Sequence, residues 1–213
     1  MSVELIIILD KSGSMQKLAN DTIGGFNKFI EDQKADKTTK ANVSLITFSE
    51  DYNTPFYRKD VNEIPDLNRE TYVPSGGTAL LDAIGHTLPQ FANAFQKSGD
   101  VDGVMVIIMT DGEENSSRSF KKDQIKEMIK GYENSGWKFI YMGANQDAFH
   151  EGGQVGLVNT RGFAATGQGV RNAYDTLSLS ATSYRASVRD HKDYNVEAAL
   201  TDAENKLAAG DTK

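Results

Sequence analysis

A chain of 213 residues, 38% of them hydrophobic, can bury one good core, whereas two full domains would each be small. A net charge of −7 argues against a general nucleic-acid surface, and the absence of cysteine removes disulfides, thiolate chemistry and zinc–thiolate sites. No window approaches the roughly 20 apolar residues of a membrane span, and the start Met1-Ser2-Val3-Glu4 lacks a signal peptide's basic and long apolar regions, so a cytoplasmic protein is expected (in the host cytoplasm if viral).

Val3 to Leu9 is apolar except for Glu4 and reads as a buried parallel strand. Lys17 to Gln33 switches to helical spacing, with Leu18, Ile23, Phe26, Phe29 and Ile30 on one side. Asp32 to Lys40 is a polar connection, and Asn42 to Phe48 is the next strand. Tyr52 to Tyr57 reads as an edge strand or hairpin arm, since Pro55 is unwelcome in a central strand. Val61 to Pro74 is loop or short helix. The turn from Pro74 to Thr78 launches a helix from Ala79 to about Phe95, which Pro89 is expected to kink or divide. Val101 to Met109 is a second strongly apolar strand. A polar loop, Thr110 to Asn115, leads from it to a helix over Ser119 to Tyr132. Trp137 to Met142 is another buried strand, with a short helix expected from Gln146 to Glu151. Phe163 to Thr166 reads as a last short strand and Gly167 to about Val188 as a long helix. Residues 1–190 are expected to form the domain. Residues 191–213 are expected to be a C-terminal extension with a loosely packed helix from Val196 to Ala209, capped by Asn195 and stopped at Gly210.

Strands alternating with helices predict an α/β sandwich of three layers, a mostly parallel sheet with helices on both faces. In such sheets the ligand crevice lies beyond the carboxyl ends of the strands. Polar loops arrive there at Asp10, Asp111 and Asn145, and the turn carrying Thr78 reaches the same edge from a helix start.

These loops suit a hard cation, which takes oxygen ligands. Asp10, Ser12 and Ser14 alternate along a short loop that can curl around an ion, and Gly13 makes the bend cheap. Thr78 follows two glycines that permit close backbone approach, and Asp111 ends the neighbouring buried strand. Two carboxylates would offset the cation's charge, three hydroxyls would fill neutral positions, and room would remain for water or one further anionic oxygen. Each residue also has a simpler use: Asp10 and Ser12 as caps of the following helix, Thr78 as the cap of its own, and Asp111-Gly112 as an ordinary turn. Taken singly, each residue favours the simpler use, and only their joint placement, at the ends of two buried strands and one helix start, shifts the balance toward a metal.

Asp10-Lys11-Ser12-Gly13-Ser14, then Gly76-Gly77-Thr78, then Thr110-Asp111-Gly112 resembles the complete metal-ion-dependent adhesion site of von Willebrand factor type A domains, in family order and spacing. The resemblance covers roughly residues 3 to 188. It implies a Rossmann-like sandwich with one short antiparallel edge strand, which Tyr52 to Tyr57 would supply. It also implies a metal site made of Asp10, Ser12, Ser14, Thr78 and Asp111, with the serines touching the ion directly, the carboxylates often acting through water, and a partner protein's Asp or Glu taking the open position. The expected ion is Mg2+, with Mn2+ or Ca2+ as alternatives. Loop placement makes Lys11, Met15, Gln16, Ser75, Glu113, Asn115 and Asn145 the expected rim. The run from Tyr141 to Asp147 resembles a pattern of bacterial and bacteriophage members.

Two other readings compete with a binding module. A metal-dependent hydrolase or phosphatase would need a general base, for which Glu113 or Glu114 is the candidate. A structural subunit would use the metal face to lock a larger assembly. His86, His150 and His191 have no ligand spacing, there is no P-loop, and Ser12-Gly13 lacks the context of a nucleophile elbow. No catalytic residue is therefore assigned.

Overall fold

The computed structural model describes residues 1–144 and 152–210. Asn145 and the helix expected from Gln146 to Glu151 lie outside the described residues. Long apolar runs become β1 (Ser2–Asp10), β2 (Lys40–Phe48), β4 (Gly103–Thr110) and β5 (Lys138–Ala144). With β3 (Tyr52–Asp60) and β6 (Thr160–Phe163) they form a sheet of order β3-β2-β1-β4-β5-β6. All pairings are parallel except β2 with β3, the antiparallel edge expected around Pro55. The chain turns to opposite sides after β1 and after β2–β3, so β1 and β4 lie side by side at the topological switch point. Their carboxyl ends open the crevice where such sheets bind ligands.

The faces are divided by strand alternation. Val3, Leu5, Ile7 and Leu9 of β1 face a core completed by α1 (Ala19–Ala35), α4 (Gly167–Arg189) and α5 (Val196–Ala209). Ile6 and Ile8 face the opposite core, under α2 (Leu80–Ser98) and α3 (Lys122–Asn134). Among the described residues no helix is long and apolar enough to cross a membrane.

Several element boundaries differ from those expected. A 3-10 turn over Gly13–Lys17 precedes α1, because Met15 N–H bonds back to Ser12 O (3.1 Å) and Leu18 N–H to Met15 O (3.0 Å). Pro89 does not divide α2. It sits on the exposed side, where water can satisfy a carbonyl that lost its partner. α3 starts at Lys122 rather than Ser119, because the N–H groups of Arg118, Ser119 and Phe120 turn to the Asp82 carboxylate instead (2.8, 2.9 and 2.9 Å). The last strand is Thr160–Phe163, not Phe163 to Thr166. Thr166 is the cap of α4, its Oγ1 accepting from Gly169 N–H at 3.1 Å.

α5 begins on Asn195, whose Oδ1 accepts from Ala198 N–H, and ends at Gly210 in the left-handed region. It buries Val196, Leu200 and Ala203 and is clasped to β6 by Arg161, which pairs with both Glu197 and Glu204.

Arg185 of α4 is fully buried, and sequence gave no sign of it. Its guanidinium donates to the carbonyls of Gln33 (2.6 Å), Asp36 (2.9 Å) and Thr39 (2.6 Å), closing the C-terminal end of α1. Burial pulls its pKa down and Asp36 beside it pulls the other way. Arg185→Ala should cost about 3–5 kcal/mol, since it strands Asp36 and three carbonyls. Urea denaturation measures this, and a loss under about 1 kcal/mol would contradict the role.

Candidate metal centre

The site is assembled by three segments stitched together through the backbone. Lys11 N–H bonds Phe48 O (2.7 Å), fixing the loop after β1 to the end of β2. Ser75 N–H bonds Lys11 O (2.8 Å) and Gly13 N–H bonds Gly76 O (2.9 Å), tying that loop to the turn before α2. Asn115 N–H and Ser116 N–H bond Thr78 O (3.0 and 3.1 Å), tying the turn to the loop after β4.

The side chains then converge. Asp10 is fully buried, and its Oδ1 accepts from Ser12 N–H at 2.6 Å while its Oδ2 accepts from Thr110 Oγ1 at 2.5 Å. Ser14 Oγ stands 3.1 Å from Ser12 Oγ and donates to Asp111 Oδ1 at 2.5 Å. A Cβ placed on Gly112 would lie 3.0 Å from Thr78 Oγ1, 3.4 Å from Ser14 Oγ and 3.8 Å from Asp10 Oδ2. One point beside Gly112, on the loop after β4, is thus faced by oxygens from the other two segments. Asp10, Ser14 and Thr78 face this point, and Ser12 and Asp111 join them through their contacts with Ser14 Oγ.

The donors are two carboxylates and three hydroxyls, all hard oxygens of the kind that Mg2+, Mn2+ or Ca2+ take. Among the described residues no group of three or more His, Cys, Asp or Glu is placed to hold a metal, so a cation at this point would need the hydroxyls as well. Electrostatics agree with the donor chemistry. Burial pushes the Asp10 carboxyl up to about 6, against hydrogen bonds from Thr110 and Ser12 that favour its ionised form. Burial also raises Asp111, against the bond from Ser14. Two desolvated carboxylates side by side are stabilised by a cation between them.

Around this centre, Ser14, Gln16, Ser75 and Glu113 are exposed. Met15, expected on the rim, is instead fully buried in the core, because the 3-10 turn points it inward. Lys11 is held by Asp51 (2.8 Å) and Ser49 (3.1 Å). Asn115 is exposed, yet its Oδ1 accepts from Thr78 N–H (2.9 Å) and from Ser116 Oγ (2.6 Å), so it braces the site.

Glu114 is not free to act as a base. Its Oε1 accepts from Ser116 N–H (3.0 Å) and Ser117 N–H (2.8 Å), and its Oε2 from Leu81 N–H (3.0 Å) and Ser117 Oγ (2.8 Å), which clamps the loop to the start of α2. His86 is packed between the rings of Tyr52 and Phe120, at 5.2 and 5.1 Å. His150 lies outside the described residues. Grooves of about 780 and 700 Å3 run along α1, α4, α5 and β6, and none of the five site residues lines them.

Sequence reasoning passed over Thr110, Asn115 and Glu114 as supports. Thr110 had a signal, since it directly precedes Asp111 at the end of a buried strand. The split between Glu113 and Glu114 had none.

A family model described as von Willebrand factor type A domain matches residues 4–160. No curated protein gave a significant match. Among solved structures, the ArnB paralog VWA2 from Sulfolobus acidocaldarius has a TM-score of 0.57 at 17% identity, covering 84% of this chain and 44% of that one. Proximal thread matrix protein 1 from the mussel byssus, with a zinc-occupied MIDAS motif, has a TM-score of 0.57 at 14% identity, covering 84% and 48%. Manganese-loaded TRAP protein of Plasmodium vivax has a TM-score of 0.56 at 19% identity, covering 76% and 68%. This chain spans less than half the length of the first two. At such identities these likenesses speak for the fold alone.

Proposed function

This chain belongs to the von Willebrand factor type A domain family, whose domains are metal-dependent protein-interaction modules, and from that premise we propose that it binds a protein partner through a complete metal-ion-dependent adhesion site. Asp10, Ser12, Ser14, Thr78 and Asp111 would hold a divalent cation, Mg2+ by preference and Mn2+ or Ca2+ in its place. An Asp or Glu of the partner completes the coordination. The observation that carries this reading is the set of oxygens facing the point beside Gly112.

The bound ion supplies a fixed positive charge that an incoming carboxylate can meet. The chain's own contribution is to orient oxygens and keep them in place. Thr110 and the Ser12 amide fix both Asp10 oxygens, Asn115 fixes the Thr78 backbone, and Glu114 anchors the loop after β4. Such supports typically change metal affinity 10–100-fold when lost. With three of the five groups neutral hydroxyls, the open position would face the ion itself, where a partner carboxylate would bind without displacing any of the five.

The test is capture of partner by the immobilised chain in Mg2+ and in chelator, beside an assay on generic phosphoesters. Capture that disappears in chelator and in Asp111→Ala, with no turnover, is the expected outcome. Mg2+-dependent turnover would instead establish the hydrolase reading. Capture indifferent to chelator would remove the metal from the interaction.

A further inference from the structure

Tyr72 lies in the connection between β3 and α2, 62 residues from Asp10 in sequence, and is fully buried. Its hydroxyl donates to the Asp10 carbonyl at 2.5 Å. The turn that carries it is rigid: Asn68 Oδ1 accepts from Glu70 N–H (2.8 Å) and Thr71 N–H (3.0 Å), and Tyr72 N–H bonds Asn68 O (2.9 Å). Just before that turn, Leu67 is tied to Asn27 of α1 in both directions, at 2.8 and 3.0 Å. Six residues further on, the same segment delivers Thr78.

Three stitches therefore join this segment to the loop after β1: Tyr72 to Asp10 O, Ser75 to Lys11 O, and Gly13 to Gly76 O. The last two are backbone bonds that many side chains would allow. The first depends on one phenol. The Thr22 hydroxyl lies beside that of Tyr72, and the nearby Tyr174 hydroxyl is buried without a hydrogen-bond partner. Only the Tyr72 hydroxyl among them reaches the metal loop. Leaving the Tyr174 hydroxyl unpaired is costly, whereas the Tyr72 hydroxyl is spent on the Asp10 backbone.

We propose that Tyr72 is a positioning residue for the metal site: its hydroxyl fixes the Asp10 carbonyl and so sets the spacing between the Asp10–Ser14 loop and the segment that carries Thr78. It touches neither ion nor partner. Its role presupposes the metal site proposed above.

Calorimetric titration of Mn2+ into the full chain tests this, with wild type, Tyr72→Phe and Tyr174→Phe compared well below their melting temperatures. The expected result is a roughly tenfold weaker Kd for Tyr72→Phe and an unchanged one for Tyr174→Phe, which removes an unpaired hydroxyl from the same buried cluster. A Tyr72→Phe protein that melts earlier but keeps the wild-type Kd overturns the proposal, because the hydroxyl would then serve stability alone. Equal losses in both variants also overturn it. Should Tyr72→Phe not fold, 3-fluorotyrosine placed at position 72 keeps ring and hydroxyl. Its fluorine resonance is expected to shift with Mg2+ at the midpoint of a calorimetric Mg2+ titration of the same protein, and an unmoved resonance overturns the proposal. Wild type that takes up no Mn2+ would overturn the metal site itself, a failure distinct from any difference among the variants.

Discussion

Asp10→Asn protein is expected to melt higher than wild type in chelator at neutral pH and to gain nothing from added Mg2+. The reason is the burial of Asp10, which lifts its pKa from 3.8 to about 6. A folded-state pKa above the unfolded value means that the folded protein holds the proton more tightly. The stability this provides is complete below the unfolded pKa and is lost as pH rises through about 6. At neutral pH the ion-free protein carries that loss in full, up to about 3 kcal/mol at 1.36 kcal/mol per pKa unit. Asn keeps the shape and can accept from Ser12 N–H without bringing a charge. A chain of this size moves its melting point by about 2–4 °C per kcal/mol, so a gain of several degrees is expected.

With Mg2+ the gap closes, and at about 1,000 times its Kd, where the ion stabilises by about 4.1 kcal/mol, the order reverses. A ligand at 100 times its Kd stabilises by about 2.7 kcal/mol, and the Asn variant forgoes it. The same group makes wild-type metal affinity fall as pH drops below about 6, where the proton competes with the ion. Calorimetric melting with and without Mg2+ checks both arms. An Asn variant that melts lower in chelator, or shares the wild-type response to Mg2+, would contradict the account.

Gly112→Ala is expected to abolish metal binding at modest cost in stability. Gly112 does not occupy the left-handed region, so alanine fits its backbone. The added methyl, however, stands among Thr78 Oγ1, Ser14 Oγ and Asp10 Oδ2, at 3.0, 3.4 and 3.8 Å, in the space proposed for the ion. The effect should reach at least the roughly 10–100-fold seen when a supporting group is lost, while the melting point in chelator stays within a few degrees of wild type. Titration with Mn2+ measures the first and thermal unfolding the second. Unchanged affinity would place the ion elsewhere.

The parts legible in sequence were those carried by uninterrupted local signals. β1 and β4 are apolar runs that end in carboxylates, so their direction and burial could be read residue by residue. Pro55 marked the edge strand for the same local reason. Misplacements arose where a tertiary contact decided the matter. Phe163-Ala164-Ala165 looks like a strand in the sequence, three residues late for β6, whose pairing with Tyr141 to Ala144 begins at Thr160. Met15 sits in a polar loop by sequence, yet a 3-10 turn sends it into the core. Glu113 and Glu114 are chemically identical, and only the fold gives Glu114 a structural task, on the amides of Ser116, Ser117 and Leu81. Tyr72 and Arg185 act on carbonyls brought near by the fold, which no local pattern encodes.

The most direct measurement is the anomalous diffraction of crystals grown with Mn2+. The account predicts a peak beside Gly112, with Ser12 Oγ and Ser14 Oγ at about 2.2 Å, close to the range for small divalent ions, and Asp10, Thr78 and Asp111 around it directly or through water. A peak bound by other residues, or none at this sheet edge in protein saturated with Mn2+, would contradict it.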